Sequence, residues 1–211
     1  MAEGGSQLKV QGDWRLWACV GLGVAVRLAL ALGTEPYVDS VYYLAWSEHL
    51  DWSYFDHPPM LALVESVGLI LGRGSSEAIY LRVGFIGLFA GSTYLMSRLT
   101  SRFYGEWAGF WAAFALNVSA YHTAAVGAFA LPDGPLLFFW LLTLDRLASA
   151  FEAPDKTVRW LWVGLSWGCA LLSKYHAVFL PTGAVVYLIL EPEARRVLRR
   201  FGPYLAAFVG M

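Results

Sequence analysis

The sequence LRVGFIGLFAGSTYLMSRL at residues 81–99 decides the fold class. Its charged residues, Arg82 and Arg98, stand near its two ends, and the residues between them are apolar, aromatic or small. Such a stretch is long enough to cross the hydrocarbon core of a bilayer, which takes about 20 residues of α-helix. Residues 16–33 and 107–125 have the same character. We therefore predict an all-α integral membrane protein, because in lipid an α-helix satisfies its own backbone hydrogen bonds.

The remaining apolar segments raise the predicted number of spans to about seven. The apolar segment Pro58–Gly72 is shorter and begins with two prolines, so we expect a helix that lies in the membrane interface, within an outer loop at 34–80. The stretch Trp160–Leu190 is interrupted near Lys174 and by Pro181, which favours two short helices joined by a kinked hairpin. The predicted spans are residues 16–33, 81–99, 107–125, 136–151, 160–172, 178–190 and 204–211.

Composition supports this class and excludes others. Hydrophobic residues make up 58% of the chain and charged residues 15%, and the mean hydropathy is +0.52. A soluble domain usually carries about 25% charged residues. The net charge of −1 gives no reason to propose nucleic acid as a partner. Cys19 and Cys169 both lie in apolar segments, so they indicate no disulfide framework.

The distribution of basic residues predicts the orientation. Cytoplasmic loops of membrane proteins are enriched in Lys and Arg. With the N-terminus in the cytoplasm and Pro58–Gly72 not crossing, most of the 15 basic residues lie on the cytoplasmic side. The segments 34–80, 131–134 and 173–175 then share the outer face. The basic residues assigned to the cytoplasm are Lys9, Arg15, Arg98, Arg102, Arg146, Lys156, Arg159, Arg195, Arg196, Arg199 and Arg200.

The outer loop begins with a candidate helix. Asp39 stands where it can cap this helix, and Tyr42, Tyr43, Trp46 and Leu50 follow at spacings that form an amphipathic stripe. Such a helix would lie flat on the outer leaflet and hold Asp39 near membrane level. From spacing alone, Asp39 is either a reactive carboxylate or only a helix cap.

Two further carboxylates are predicted on the same face. Asp133 stands in the sequence ALPDGP at 130–135, between two predicted spans, and Asp56 precedes His57 at the start of the interfacial helix. On local grounds alone, both aspartates are also typical of turns that precede a helix. His57 and the carboxylates could suggest a metal site, but no His and Asp pair has a recognisable ligand spacing, so this signal is weak.

Three cations could serve an anionic ligand. Arg27 lies well inside the first predicted span, where an unpaired charge is costly, so we expect it to face a cavity or a partner. Arg82 and Lys174 stand near the outer ends of helices. The alternative for all three is that the side chain reaches the headgroup layer and has no further role.

Several of these segments together resemble a known family. They match in order and spacing from about Arg27 to Tyr204, and the family is the bacterial GT-C glycosyltransferases related to protein O-mannosyltransferases, lipid A aminoarabinose transferase and RgtA/B/C/D-like enzymes. The matching segments are DSVYY at 39–43, WS at 46–47 and YFDHPPM at 54–60 in the first outer loop; LPDGPL at 131–136 and FFW at 138–140 around the second loop; and ALLSKY at 170–175 in the hairpin.

The resemblance implies an inverting glycosyltransferase with a GT-C type helical bundle. It would move a sugar from a polyprenyl-phosphate donor to a hydroxyl of a lipid, glycan or protein acceptor, at the outer face of a bacterial-type inner (plasma) membrane. In this family pattern Asp39 would be the general base, and Asp133 would orient the acceptor or the base, or share a divalent cation with Asp39. Lys174, Arg82 and Arg27 would bind the donor phosphate, and no other cofactor is implied. The remaining substrate-loop residues would be Tyr42, Tyr43, Asp56 and His57.

The sequence departs from the family pattern at two places. Ser40 stands where the family's first loop has a glutamate after the aspartate. The chain also ends inside its last predicted helix, so we expect an N-terminal part of a membrane domain that continues, in relatives, through further spans and usually an outer soluble domain. Two alternatives are a transporter or channel that collects cations with its acidic outer loop, and an inactive truncated fragment. Transporters favour sites at the membrane midplane, which suits this chain less well.

Overall fold

The computed structural model describes residues 14–36, 38–75 and 77–211, and the predicted position of Lys9 lies outside these residues. Within them the chain is built from α-helices and contains no strand, which confirms the all-α fold class. A π-helical turn covers His122–Val126, and 3-10 turns cover Tyr175–Val178 and Ala194–Arg199. The α-helices are α1 (Trp14–Gly33), α2 (Val38–Glu48), α3 (Met60–Leu71), α4 (Ala78–Tyr104), α5 (Glu106–Val118), α6 (Asp133–Glu152), α7 (Thr157–Ser173), α8 (Phe179–Leu190) and α9 (Gly202–Gly210).

Of the described helices, α1, α4 and α6 are each long and apolar enough to cross a membrane. The helix α3 and the segment Tyr175–Leu190 are apolar but shorter. The helix α5 ends at Val118, before the predicted limit at residue 125, because the backbone becomes extended at Ser119 and a π-helical turn follows. The count of about seven spans and the membrane orientation stay predictions.

The long helix α4 is the centre of the bundle. It packs against α1, α3, α5 and α6, and its Phe85 and Phe89 are almost fully buried. The contact with α3 depends on glycine, because a Cβ atom at Gly68 would lie 1.7 Å from the carbonyl oxygen of Tyr80. Close approach of helix backbones through small residues is a common way to pack helices in membranes.

Arg82 joins the beginning of α4 to the end of α1. Its Nη1 donates to the Thr34 hydroxyl at 2.7 Å, and its Nη2 donates to the Glu35 carbonyl at 2.6 Å. The side chain is fully buried. Since the last carbonyls of a helix have no partner within it, Arg82 both satisfies this end of α1 and fixes where the loop that carries α2 begins.

A second buried arginine, Arg27, lies deeper between α1, α4 and α5. Its Nη1 donates to the Gly23 carbonyl at 2.9 Å and to Asn117 Oδ1 at 3.2 Å. Its guanidinium lies 3.5 Å from the centre of the Phe89 ring, which provides a cation–π contact. The expectation that Arg27 does not face lipid is consistent with this burial.

A buried ion cluster lies toward the opposite end of α4 and α6. Asp145 is fully buried, and Arg98 Nε lies 2.9 Å from its Oδ1. Arg102 Nη2 lies 3.9 Å from the same oxygen, and Arg146 contacts the other oxygen. Asp145 follows Asp133 by 12 residues, or about 18 Å along the axis of α6. The Asp145 cluster is therefore separate from the end of α6 that carries Asp133.

Candidate active site

The site forms where four helix ends meet. The helix α1 ends, α4 and α6 begin, and α7 ends at the same end of the bundle, and α2 and α3 lie in the connection between α1 and α4. This alternation brings residues from distant parts of the sequence to one place. The sequence predicts that the segments 34–80, 131–134 and 173–175 lie together, and in the structure they meet at this end of the bundle.

An ion pair joins α6 to the end of α7. Asp133 is the first residue of α6, and Lys174 follows the last residue of α7. The Lys174 Nζ donates to Asp133 Oδ1 at 2.9 Å and to Oδ2 at 3.0 Å. About a quarter of each side chain is exposed, at 23% for Lys174 and 24% for Asp133. The pair is therefore accessible to a ligand while it is held by two packed helices.

The charges of three carboxylates act on the phenol of Tyr43, which is almost fully buried in α2. Burial and the negative charges of Asp39, Asp56 and Asp133 raise the pKa of Tyr43 to about 12. Charges act on a phenol in this way only at short range, because solvent and salt screen more distant ones. The structure thus brings together three aspartates that are far apart in the sequence.

His57 connects the outer loop to this group. Burial and the positive charge of Lys174 lower the pKa of His57, and the charges of Asp56 and Asp133 oppose that shift. The imidazole also packs against the Tyr43 ring with the ring centres 6.0 Å apart. The charges of the ion pair therefore act on His57, and its lowered pKa favours the neutral imidazole at pH 7.

The loop after α2 is folded back onto that helix by aromatic contacts. Trp46 and Tyr54 are stacked with ring centres 4.5 Å apart and an angle of 6° between the planes. The Tyr54 hydroxyl donates to the Trp46 carbonyl at 3.0 Å, and the Tyr42 hydroxyl donates to Asp56 at 3.1 Å. These contacts hold Asp56 beside α2, which explains why Asp56 acts on the Tyr43 phenol.

Two details of α2 differ from the sequence prediction. Asp39 is the second residue of the helix and not its cap, although a carboxylate in the first turn still suits the helix dipole. The buried face of α2 is Ser40, Tyr43 and Ser47, and the sequence did not predict the burial of the two serines; of the predicted amphipathic stripe, Tyr43 is buried, and Tyr42 and Leu50 are exposed. Ser47 has a polar partner on the neighbouring helix α3, because its Oγ lies 2.8 Å from Glu65, whereas the Ser40 hydroxyl has no hydrogen-bond partner among the described residues.

Comparison with known proteins identifies the type of chain that carries this site. Residues 56–211 match the sequence profile of the dolichyl-phosphate-mannose-protein mannosyltransferase family. The chain belongs to this family. The match begins at Asp56, so it contains His57, Asp133 and Lys174, whereas Asp39 precedes it.

A curated relative agrees with this assignment. The chain is 30% identical, over 168 residues, to the lipid A galacturonosyltransferase RgtD of Rhizobium johnstonii. That alignment covers 79% of this chain and 34% of the relative, so the chain spans about a third of the relative's length. No solved structure matches the chain. Family and relative together show that the chain belongs to the GT-C type glycosyltransferase family, as the sequence motifs indicate.

Ser40 stands where the family pattern has a glutamate, and this difference leaves Asp39 accessible. Ser40 is completely buried on the face of α2 that meets α3, whereas Asp39 is exposed. Adjacent residues of a helix point about 100° apart, so the two side chains face different environments. The serine therefore belongs to the packing of α2, and Asp39 remains available to a substrate.

The two arginines predicted to bind the donor phosphate lie beside the site and not within its group of carboxylates. Arg82 donates to groups at the end of α1, and Arg27 donates to Gly23 and Asn117. Neither arginine contributes to the pKa of Tyr43 or His57, whereas Lys174 does contribute to that of His57. Their role toward a phosphate stays a prediction.

A metal site is not evident among the residues that the structure describes, since no group of three or more His, Cys, Asp or Glu side chains there could hold an ion. The sharing of a divalent cation by Asp39 and Asp133 stays a prediction. The cation that Asp133 does contact is the ammonium group of Lys174.

Two residues near the site were not predicted from the sequence. The Tyr121 phenol interacts with the Asp133 carboxylate from the loop that follows α5. Glu65 lies under α2 with 0% of its surface exposed. Glu65 could have been recognised as unusual, because it is a carboxylate within the mainly apolar sequence MLALVESVGLIL. Nothing in the local sequence distinguishes Tyr121.

Proposed function

We propose that this chain carries the active site of an inverting glycosyl transfer from a polyprenyl-phosphate-linked sugar to a hydroxyl acceptor. The proposal places this site at the non-cytoplasmic face of a bacterial-type inner membrane. The observation that carries it is the ion pair of Lys174 with Asp133 at 2.9 Å, in a region where the charges of Asp39, Asp56 and Asp133 all act on the Tyr43 phenol. Carboxylates and a cation on one surface are what a reaction needs when a hydroxyl loses a proton and a phosphate leaves.

Asp39 is the proposed general base. It is exposed, and no side chain among the described residues donates a hydrogen bond to it, so its oxygens can accept the proton of a hydroxyl. The acceptor oxygen attacks the anomeric carbon as this proton moves to Asp39. The bond between the anomeric carbon and the phosphate oxygen breaks on the opposite face, which inverts the configuration.

Lys174 is the proposed cation for the leaving phosphate. Its ammonium group has three protons, and Asp133 accepts through its two oxygens at 2.9 and 3.0 Å. A third proton can therefore be donated to a phosphate oxygen while Asp133 holds the lysine in place. The negative charge on that oxygen grows in the transition state, so a fixed cation stabilises this state more than the ground state.

Arg82 and Arg27 have a supporting part in this proposal. Arg82 fixes the start of the loop that carries Asp39, through its bonds to Thr34 and Glu35. Arg27 adds positive charge deeper in the same region, next to Asn117. Both would favour an anionic headgroup at the mouth of the bundle, and Lys174 is the cation that we expect to contact the phosphate.

The aromatic residues of α2 and its loop are candidates for the sugar or the membrane surface. Tyr42 and Trp46 lie on the same side of α2 as the Tyr54 ring, and Tyr42 is bound to Asp56. The relative's name supports lipid A as the first acceptor to test and galacturonate as the first sugar. Protein, glycan and other lipid acceptors follow in the same assay.

The test is a transfer assay with membranes that contain the protein. Radiolabelled sugar is supplied either on a polyprenyl phosphate or as a nucleotide sugar, with lipid A as the first acceptor. We expect transfer only from the lipid-linked donor, and we expect Lys174→Met to abolish most of it. Efficient transfer from a purified nucleotide sugar without a lipid carrier would refute the proposed donor class.

A further inference from the structure

The helix that carries Asp39 is docked onto α3 through polar side chains. The buried positions of α2 are Ser40, Tyr43 and Ser47, and these recur at spacings of three and four along one face of the helix. Two of the three are serines. The Ser40 hydroxyl has no hydrogen-bond partner among the described residues, whereas the Ser47 hydroxyl has one on α3. The partner on α3 is Glu65.

Glu65 is the charged residue of the otherwise apolar sequence MLALVESVGLIL. Its side chain is completely buried, and its Oε2 lies 2.8 Å from the Ser47 Oγ. In the described part of the chain, no group forms a hydrogen bond with its Oε1. An ionised carboxylate in such a place would be costly, because it accepts one hydrogen bond and has no cation beside it.

A proton count at Ser47 distinguishes the two states of Glu65. The Ser47 Oγ lies 3.1 Å from the Tyr43 carbonyl oxygen as well as 2.8 Å from Glu65. A hydroxyl has one proton, so with an ionised Glu65 it can donate to only one of these two acceptors. With a protonated Glu65, the acid donates to Ser47 and Ser47 donates to Tyr43, and both short contacts are hydrogen bonds.

We propose that Glu65 is a protonated carboxylic acid that donates to Ser47 and so positions α2, and with it Asp39, against α3. Glu65 does not touch the reacting atoms in this arrangement, so it is a positioning residue. The consequence for catalysis rests on the proposed function of Asp39, whereas the protonation of Glu65 does not.

The electrostatic surroundings agree with a neutral Glu65. Burial raises the pKa of Glu65 to about 7, and the hydrogen bond with Ser47 opposes this shift. No charged group contributes to the shift. The titratable and charged groups at this end of the helices that pack against α3 are Asp39, Tyr42, Tyr43 and Glu48 on α2, Tyr80 and Arg82 on α4, Asp133 on α6 and Lys174 after α7.

The direction of the pH dependence follows from the raised pKa of Glu65. A carboxylic acid whose pKa is higher in the folded state favours folding while it is protonated. This stabilisation is complete below the unfolded value near 4.5 and is lost as the pH rises through about 7. We therefore expect the docking of α2, and the turnover that depends on Asp39, to decline on the alkaline side of pH 7.

The experiment combines infrared spectroscopy with a pH profile of turnover in the same membrane-embedded protein. In the unaltered protein we expect the carbonyl band of a protonated carboxylic acid at pH 6, which disappears as the pH rises through about 7. Glu65→Gln should lack that band but keep a donor for Ser47, so its turnover should stay level across the same range. Glu65→Leu removes the donor and should lower turnover roughly tenfold at every pH, as expected for one lost hydrogen bond.

The matched control is Glu48→Gln, on the exposed side of α2. This variant should keep both the carbonyl band and the pH profile of the unaltered protein.

The two readouts separate the two proposals. A band that is missing from the unaltered protein, or that persists in Glu65→Gln, would overturn the assignment of a protonated Glu65 whatever the activity. A band that behaves as expected together with a Glu65→Gln variant as inactive as Glu65→Leu would overturn the positioning role. A band that behaves as expected in membranes without any transfer would count against the proposed function and support the neutral Glu65.

Discussion

Lys174 binds both carboxylate oxygens of Asp133, at 2.9 and 3.0 Å, across the ends of two helices that are separate in the sequence. The pair joins the first residue of α6 to the residue after α7. Because both side chains remain partly exposed, the ion pair is available to a ligand as well as to the fold. In the proposed mechanism Asp133 therefore holds the cation in place, and we expect Lys174 to contact the donor phosphate.

The first prediction is that Asp133 and Lys174 act as a unit. Lys174→Met and Asp133→Asn should each lower turnover by about 10²-fold or more, because each removes one part of the fixed cation site. The double variant should be little worse than the poorer single variant, since residues that act together are strongly non-additive. Turnover at equal membrane levels of the three variants is the measurement. Effects that multiply in the double variant would show that the two residues act independently.

The second prediction concerns Asp39 as general base. Asp39→Asn should lower turnover by about 10²–10⁴-fold, which is the usual contribution of a positioned base. Its effect on folding should be small, because the residue is exposed in the first turn of α2. Asp133→Asn should be the next most damaging change to a carboxylate.

The control for this series is Asp51→Asn. Asp51 Oδ1 accepts a hydrogen bond from the Trp52 amide at 2.6 Å, and asparagine can keep that bond. This variant should therefore retain nearly native turnover. Near-native turnover of Asp39→Asn instead would remove Asp39 from the base role and favour Asp133 or Asp56.

The third prediction concerns the orientation of the chain in the membrane. Single cysteines at Ser53 and Ser75, in the loop regions near the candidate site, should react with a membrane-impermeant thiol reagent added to intact cells. A cysteine at Thr157, which starts α7, should not react until the cells are opened. The three positions are at least partly exposed in the structure, so burial does not account for the expected difference. Labelling of Thr157→Cys from outside would reverse the proposed orientation.

Much of the candidate site could be predicted because topology alone brings it together. Alternating helices place the ends of α1 and α7 next to the beginnings of α4 and α6, so Asp133 and Lys174 meet without any detail of packing. The all-α fold class could also be predicted from the sequence, because it depends on the length and composition of apolar segments. The predicted break at Lys174 corresponds to the end of α7 at Ser173.

Other features depend on which face each helix presents, and spacing did not reveal them. The spacing of the aromatic residues of α2 predicted an amphipathic stripe, but it did not predict that α2 buries the face with Ser40 and Ser47, of which Ser47 contacts Glu65 on α3. The partners of Asp145 likewise depend on the register between α4 and α6. The sequence shows Asp145 next to Arg146, which is typical of an exposed helix end, whereas Arg98 approaches from a helix 47 residues away.

The fourth prediction is that Asp145 matters for stability and not for chemistry. Asp145 is fully buried and is shared by Arg98, Arg102 and Arg146, about 18 Å along α6 from Asp133. Asp145→Asn leaves these guanidinium groups without their common counter-charge, and removing one partner of a buried ion pair costs roughly 3–5 kcal/mol.

The matched control is Asp155→Asn. Asp155 pairs with Arg200 at 2.6 Å, but both side chains are more than half exposed, and exposed pairs contribute about 0–1 kcal/mol. Thermal unfolding in detergent should separate the two variants clearly, while the folded fraction of Asp145→Asn should keep its turnover per molecule. Equal stability of the two variants would show that the three arginines do not depend on Asp145, and a loss of turnover in the folded fraction would connect this cluster to the active site.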